Sequence, residues 1–479
     1  PTPEPTPAPD PYDAVRTYWS EDQLTQAWGP NQVVEHLFFH PVIAYPQWAF
    51  HDCPSSQSQK EGLDDWMVTV DEYKKILDNL YEKGYILVAI EDVWSEVTDE
   101  SGTHMVRNTL MLPEGKKPLV ISFDDVNYYD YMLEEGFTSK LVVGEDGQIW
   151  AECTDPYTQE TFLTQDLDAT TILDQFVLEH PDFSLNGAKA IFSLTGYQGI
   201  LGYRTQNDRS LPADDPKRPE FEAYRQSEID AVKPVIQRLK ETGWTFGSHT
   251  WGHINLGSST RTLESVQTDT ERWLEEVGSL VGPTQVLFYP HGSRPDGDDV
   301  TQTGPMFQYL QSKGFRIFAS VGIESYSKIK GDISAVICDR LHPDGTTLRW
   351  QRDRYLQFYD AADIIDLEVR PDLGRAWSPP PGGHPPFPKK KKPGAVLAAR
   401  LFFDTLFYSL TPSPPGRAFG PGEPRAPGRD SPGPGSPLPG GSPAGPTASA
   451  APSPRGSRTS AGPGGSSRSP GPRRGRPPS

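Results

Sequence analysis

The chain predicts an α/β fold in which a parallel sheet or barrel carries chemistry at its strand ends. Three observations lead there. Strand-length apolar runs alternate with helix-length amphipathic stretches from Val33 to Cys338, at the spacing of βα units. Two of the strands run straight into titratable residues: Leu119–Phe123 into Asp124-Asp125, and Trp244–Ser248 into His249-Thr-Trp-Gly-His253. The last 103 residues hold 26 of the chain's 50 prolines and few apolar residues, which confines the fold to what precedes them.

Taken in order, residues 12–29 are polar, carry two tryptophans and resolve to no element. Val33–His40 reads as the first strand. Val70–Lys83 places Tyr73, Ile76, Leu77 and Leu80 at helical spacing, with Thr69 and Glu72 as a capping box and Gly84 as the stop. Tyr85–Ile90 is a second strand and Leu119–Phe123, after Pro118, a buried third. Residues 138–165 read as an inserted hairpin, with Leu141-Val-Val and Ile149-Trp-Ala flanking the turn Glu145-Asp-Gly147. Thr171–Glu179 is helical, Ala188–Leu194 a strand, and residues 196–220 a Gly-, Arg- and Asp-rich loop. Phe221–Thr242 is a long helix that Pro234 is expected to kink, followed by the strand Trp244–Ser248 and a helix over Thr262–Val281. Val286–Tyr289, Phe315–Ser320 and Ala335–Cys338 complete the strands, with a helix over Met306–Lys313 between the first two. The domain reading is a Pro/Thr-rich linker and polar lead-in over 1–29, a catalytic domain over 30–376 and a disordered Pro/Gly/Ser/Arg-rich tail over 377–479. The tail's composition is also that of an out-of-frame reading of a GC-rich gene.

Charge is divided the same way. The tail has 14 Lys and Arg against 3 Asp and Glu, so the overall −19 leaves −30 on residues 1–376. An acidic domain disfavours nucleic acid and anionic membrane surfaces as partners. The three cysteines, Cys53, Cys153 and Cys338, have no CxxC spacing, which argues against a Cys-based zinc site; one disulfide plus a thiol, or three buried thiols, both remain open. No apolar run reaches the length of a membrane span. The Pro-alternating stretch Pro1–Pro11 resembles the stiff linkers that follow a secretion signal or lipid anchor, and a secreted or cell-envelope protein is expected.

Adjacent carboxylates at a strand end repel unless a cation or shared proton offsets them. Two imidazoles and one carboxylate form a three-ligand set that leaves positions open for water and substrate. The second carboxylate is then free to take a proton from metal-bound water. Thr250 stands where the HExxH metalloprotease pattern places its Glu, so that reading is excluded. Glycoside hydrolysis requires carboxyls on opposite sides of a bond, roughly 5–9.5 Å apart, which neighbouring residues do not readily provide. His36 and His40 share one strand face, and His40 either borders the site or is a satisfied core histidine. Trp251 either floors a sugar cleft or packs in the core.

Ser122-Phe-Asp-Asp125 followed by His249-Thr-Trp-Gly-His253 resembles the first two motifs of the polysaccharide deacetylases with the NodB-type domain, the carbohydrate esterase 4 group. Phe38-Phe-His40 resembles the first-strand segment of the exopolysaccharide branch. The resemblance covers about residues 33–345. It implies a distorted (β/α) barrel of NodB type and metal-dependent hydrolysis of N-acetyl or O-acetyl groups on a glycan polymer. By residue, it implies Asp124 as general base, and Asp125, His249 and His253 as ligands of a divalent metal, usually zinc. The third family motif, Arg-x-Pro-x-Gly, falls on Phe288-Tyr-Pro-His-Gly292, so Phe288 stands where the Arg that orients the base belongs. Arg340 or Arg294 is expected to replace it in space, and the His291 N–H to serve as oxyanion donor. Leu341-His342 is the nearest match to the family's general-acid His, although Pro343-Asp-Gly345 beside it also reads as a plain turn. Two other functions fit the same residues: a metal-retaining barrel that binds glycan without catalysis, and a hydrolase of another non-peptide C–N bond.

Overall fold

Eight strands close almost completely into a barrel in the computed structural model, which describes residues 9–371 except Asp332. They are β1 (Glu35–Phe39), β2 (Tyr85–Leu87), β3 (Lys117–Asp124), β4 (Ile191–Leu194), β5 (Thr245–Ser248), β6 (Val286–Phe288), β7 (Ile317–Val321) and β8 (Ala335–Arg340). All their pairings are parallel, which needs a crossover connection between paired strands rather than a hairpin. β3 is long enough to hold two neighbours on one edge: β2 along Lys117–Leu119 and β4 along Ser122–Asp124. On its other edge it pairs with β1. The barrel closes where Phe38 N donates to Leu341 O (2.9 Å) and Leu341 N to His36 O (3.0 Å). The β5–β6 seam is also thin, joined in register at Ser248 and Leu287.

Period-two alternation sorts each strand into two faces. In β3, Leu119, Ile121 and Phe123 pack outward into the cluster under the helices, whereas Val120 joins the barrel interior with Val286, Phe288, Ile317, Ala319, Val336 and Cys338. Continuing the inward face of β3 upward gives Ser122 and Asp124, and that of β8 gives Arg340. The interior is thus apolar at its floor and charged at the carboxyl ends of its strands, where α/β folds assemble their sites.

The helices cover the outer face. α1 (Val70–Glu82) begins at the expected capping box: Glu72 N donates to Thr69 Oγ1 (3.2 Å) and Thr69 N to Glu72 Oε2 (2.9 Å). Its Tyr73, Ile76, Leu77 and Leu80 are fully buried, each contributing about 1.5–3 kcal/mol. α2 (Ala169–Glu179), α3 (Arg218–Glu241, with Pro234 inside), α4 (Leu263–Trp273) and α5 (Pro305–Ser312) follow their strands as expected.

Several elements differ from expectation. The insert is three antiparallel strands, because Thr161–Thr164 pairs with Ile149–Thr154 beside the expected hairpin. Tyr326–Lys330 adds an antiparallel edge to β8, and Trp94–Asp99 pairs with Gly102–Arg107. The second strand stops at Leu87 and Ile90–Val93 turns helical. All three cysteines are free and buried. No helix among the described residues is long and apolar enough to cross a membrane. Residues 1–8 of the expected linker and the expected disordered tail over 377–479 lie outside the described residues.

Candidate active site and metal centre

The Asp pair ends β3, and the backbone separates its members. Asp124 keeps the strand's inward direction. Asp125 takes a left-handed φ of 61°, a conformation that Asp tolerates better than most residues. Its N–H donates to Ser193 O on β4 (3.2 Å). Two neighbouring carboxylates therefore enter two different environments.

Asp124 faces Arg340. Nη1 of Arg340 donates to Oδ1 (2.7 Å) and Nη2 to Oδ2 (2.9 Å), and Nη1 also reaches Ser122 Oγ (3.0 Å). The guanidinium is fully buried between the Phe38 ring (4.1 Å) and the Phe288 ring (4.5 Å). Gly247 makes room for this stack, since a Cβ there would lie 2.6 Å from the Phe288 ring. Burial by itself would raise the Asp124 carboxyl, but the Arg340 charge and the nearby His249 outweigh it and hold it well below the usual range. The expected substitution for the Arg missing at 288 is therefore made by Arg340. Arg294 is engaged elsewhere, donating to Asp339 Oδ1 (2.9 Å).

Asp125 faces imidazoles. Its Oδ1 accepts from Tyr129 Oη (2.7 Å). Its Oδ2 is buried, accepts no hydrogen bond among the described residues, and lies 3.6 Å from His253 Nε2 and 3.9 Å from His40 Nε2. Burial, with the Asp124 charge assisting, pushes the Asp125 carboxyl up to about 6 despite His249 and Tyr129. One candidate ligand atom from each of Asp125, His249 and His253 lies within 4.8 Å of the others.

The histidine loop is held from behind. His249 Nδ1 meets Phe288 O (3.0 Å); a carbonyl can only accept, so Nδ1 carries a proton and Nε2, 3.7 Å from Asp124 Oδ2, is the nitrogen turned to the carboxylates. This contact occupies a carbonyl that a longer β5–β6 ladder would use. Asp269 on α4 accepts from Trp251 N (2.7 Å) and Gly252 N (2.8 Å), clamping the loop between the two histidines. A Cβ at Gly252 would stand 3.2 Å from that carboxylate. Thr250 and His253 both have positive φ (60° and 49°), which lets the two rings converge from one turn. Burial keeps the His253 imidazole far below its ordinary value, hence neutral and able to coordinate. Two imidazoles beside a buried carboxylate oxygen that accepts no hydrogen bond among the described residues fit a divalent cation.

His342 does not reach the cluster directly. Its Nε2 bonds His40 Nδ1 (3.0 Å), its Nδ1 lies 2.9 Å from Asp344 Oδ2, and Phe38 stacks on its ring at 4.2 Å. The chain of acceptors starting at Asp344 places a proton on each Nδ1, and His40 Nε2 is on the side of Asp125. His40 is the imidazole that borders the site. His36 is the satisfied core histidine, its Nε2 on Ser122 Oγ (3.0 Å). Trp251 floors no open cleft: its Nε1 donates to Glu276 Oε2 (3.1 Å) and the Arg272 guanidinium covers its ring at 3.3 Å. His291 sits in the turn Pro290–Gly292 with φ 58°, its ring 4.5 Å from that of His253. Tyr129 and Asp269 carried no sequence signal, because each acts through one hydrogen bond made by the tertiary fold.

Residues 220–304, which span α3, the histidine loop, α4 and the turn after β6, match the family model for polysaccharide deacetylase. Solved structures similar to this chain include the polysaccharide deacetylase BA0330 from Bacillus anthracis (13% identity, 70% of this chain and 69% of that one, TM-score 0.35). Others are IcaB from Ammonifex degensii (14%, 68% and 97%, 0.33) and the polysaccharide deacetylase BC0361 from Bacillus cereus (12%, 70% and 69%, 0.33). No curated protein matches the sequence. The Asp pair and the histidine loop thus meet at the strand ends of the barrel, and the stretch that carries the histidine loop is similar to polysaccharide deacetylases.

Proposed function

We propose that this protein is a metal-dependent deacetylase that removes N-acetyl, and in second place O-acetyl, groups from a carbohydrate polymer. The observation that carries the reading is the division of labour inside the Asp pair. Asp125 converges with His249 and His253, while Asp124 is reserved by Arg340. Zinc is the ion best suited to two imidazoles and one carboxylate, and it would supply Lewis-acid polarisation of the acetyl carbonyl and a water of lowered pKa.

The protein's own groups do the rest. Arg340 donates one hydrogen bond to each Asp124 oxygen, which leaves lone pairs on both to receive the proton of the attacking water. The fork holds the base ionised and aimed, at the cost of basicity. His40, braced by His342 and Asp344 and with Nε2 on the side of Asp125, is the imidazole placed to take up that proton and deliver it to the nitrogen as the C–N bond breaks. Water and the acetylated amine thereby yield acetate and free amine. The lack of an Arg at 288, which favoured a non-catalytic barrel, is answered by Arg340. A secreted or cell-envelope location is proposed on the Pro/Thr-rich lead-in alone.

The test is acetate release from N-acetylated chito-oligosaccharides, from an O-acetylated glycan and from small amides, with chelator and with divalent ions restored. Release from the glycans that chelator abolishes and zinc restores is expected. Release indifferent to chelator would overturn metal dependence, and turnover of small amides alone would move the protein to another class of C–N hydrolase.

A further inference from the structure

Asp125 has two chemically unequal oxygens, and the asymmetry comes from one residue. Oδ1 accepts from the Tyr129 hydroxyl at 2.7 Å, whereas Oδ2, which faces His253 and His40, accepts no hydrogen bond among the described residues. The hydroxyl is itself fixed. Thr195 Oγ1 lies 2.6 Å from it and Asn127 Oδ1 at 3.5 Å. A carboxylate can only accept, so the single phenolic proton goes to Asp125 and Thr195 must be the donor to Tyr129. The ring is buried and cannot swing, being stacked on Tyr197 at 4.5 Å and 13° and on Tyr131 at 6.0 Å and 22°.

We infer that Tyr129 is a positioning residue that restricts Asp125 to single-oxygen ligation and thereby sets the affinity and the ion preference of the metal centre. The inference rests on the metal-centre reading above. A carboxylate with one oxygen held by a buried hydroxyl can offer only the other to a cation. That suits an ion content with four ligands, such as Zn²⁺. It handicaps ions that seek six or more oxygen-rich contacts and gain from carboxylates binding through both oxygens. Partners one step behind a ligand typically carry 10–100-fold of metal affinity. Tyr129 belongs to none of the sequence motifs that point to the centre, and it reaches Asp125 only because the turn after β3 folds back on the strand end.

The experiment is competition titration of the metal-free protein with Zn²⁺ and with Mn²⁺, comparing wild type, Tyr129→Phe and Thr195→Val, with melting of the metal-free proteins measured in parallel. Tyr129→Phe should weaken Zn²⁺ binding by about 10–100-fold and Mn²⁺ binding by less, so that the preference for Zn²⁺ over Mn²⁺ shrinks. A merely structural role would weaken both ions alike and lower the metal-free melting temperature. Thr195→Val touches no ligand and should shift the preference in the same direction by a smaller factor, which keeps the test available if Tyr129→Phe does not fold. Unchanged Zn²⁺ affinity and ion preference in the variants, with a wild type that binds, overturns the inference alone. A wild type that binds neither ion overturns the metal-centre reading and the inference together.

Discussion

Asp124 and Asp125 are neighbours in sequence, yet they sit in opposite electrostatic surroundings. Around Asp124 the fold supplies a fully buried guanidinium between two aromatic rings, and the carboxyl is held below its ordinary range. Around Asp125 it supplies imidazoles and a phenol but no fixed cation, and burial pushes the carboxyl up to about 6. Both carboxylates are buried, so burial is not what distinguishes them; the presence or absence of a partner charge is. The first environment suits a base that must stay ionised. The second leaves a buried carboxylate oxygen uncompensated beside imidazoles, which suits coordination of a divalent ion.

The strongest way to break this contrast is to remove the cation. Arg340→Met leaves Asp124 charged and unpaired in the barrel interior, a change that typically costs 3–5 kcal/mol of stability. Turnover should fall by about 10²-fold or more as the base loses its orientation. Thermal melts and kcat on the purified variant check both, and wild-type turnover would show that the base needs no cationic partner. Phe288→Arg, which introduces the Arg of the motif this stretch resembles, is expected to harm rather than help, because it sets a second guanidinium against the first at a position 4.5 Å away.

Removing the unpaired charge has a smaller effect of opposite sign. The folded-state pKa of Asp125 is raised to about 6 from the ordinary 3.8. In the metal-free protein its contribution to stability is therefore complete below about pH 4 and is lost as pH rises through 6. Asp124, with a depressed pKa, behaves in reverse: its contribution is present above the ordinary value and lost as pH falls. Asp125→Asn should remove the first dependence and stabilise the chelated protein at pH 7 by on the order of 2–3 kcal/mol. Parallel pH–melting curves for variant and wild type would contradict the assignment.

The smallest effect belongs to Trp251, which lies between His249 and His253 in sequence but is engaged by Glu276 and Arg272. Trp251→Phe loses one hydrogen bond to Glu276 and should cost about 1 kcal/mol with KM for glycan unchanged. A large rise in KM would return Trp251 to the substrate cleft.

Much of this was legible in the sequence, for identifiable reasons. α1 showed through its 3.6 period and its Thr69–Glu72 box, and the barrel strands through short apolar runs bounded by turn residues. The strand Thr161–Thr164 did not, because Phe162 and Leu163 are both exposed and break the alternation that marks a half-buried strand. At the site, the Asp pair and the histidine loop stood at strand ends. Arg340 and Arg294 were equal choices until the register of β8 was known: Arg340 continues the inward series of Val336 and Cys338, whereas Asp339 faces the other way and takes Arg294. The His40–His342 contact joins residues 302 positions apart, and the Asp269 clamp crosses from helix to loop. Such pairings arise from tertiary folding and leave no local pattern.

The separation of roles is tested most directly by measuring bound metal and acetate release together in wild type, Asp124→Asn, His249→Ala and His253→Ala. Asp124→Asn should retain as much metal as wild type and release no acetate, while each His variant loses most of its metal. Full metal occupancy in both His variants, or wild-type turnover in Asp124→Asn, would contradict it.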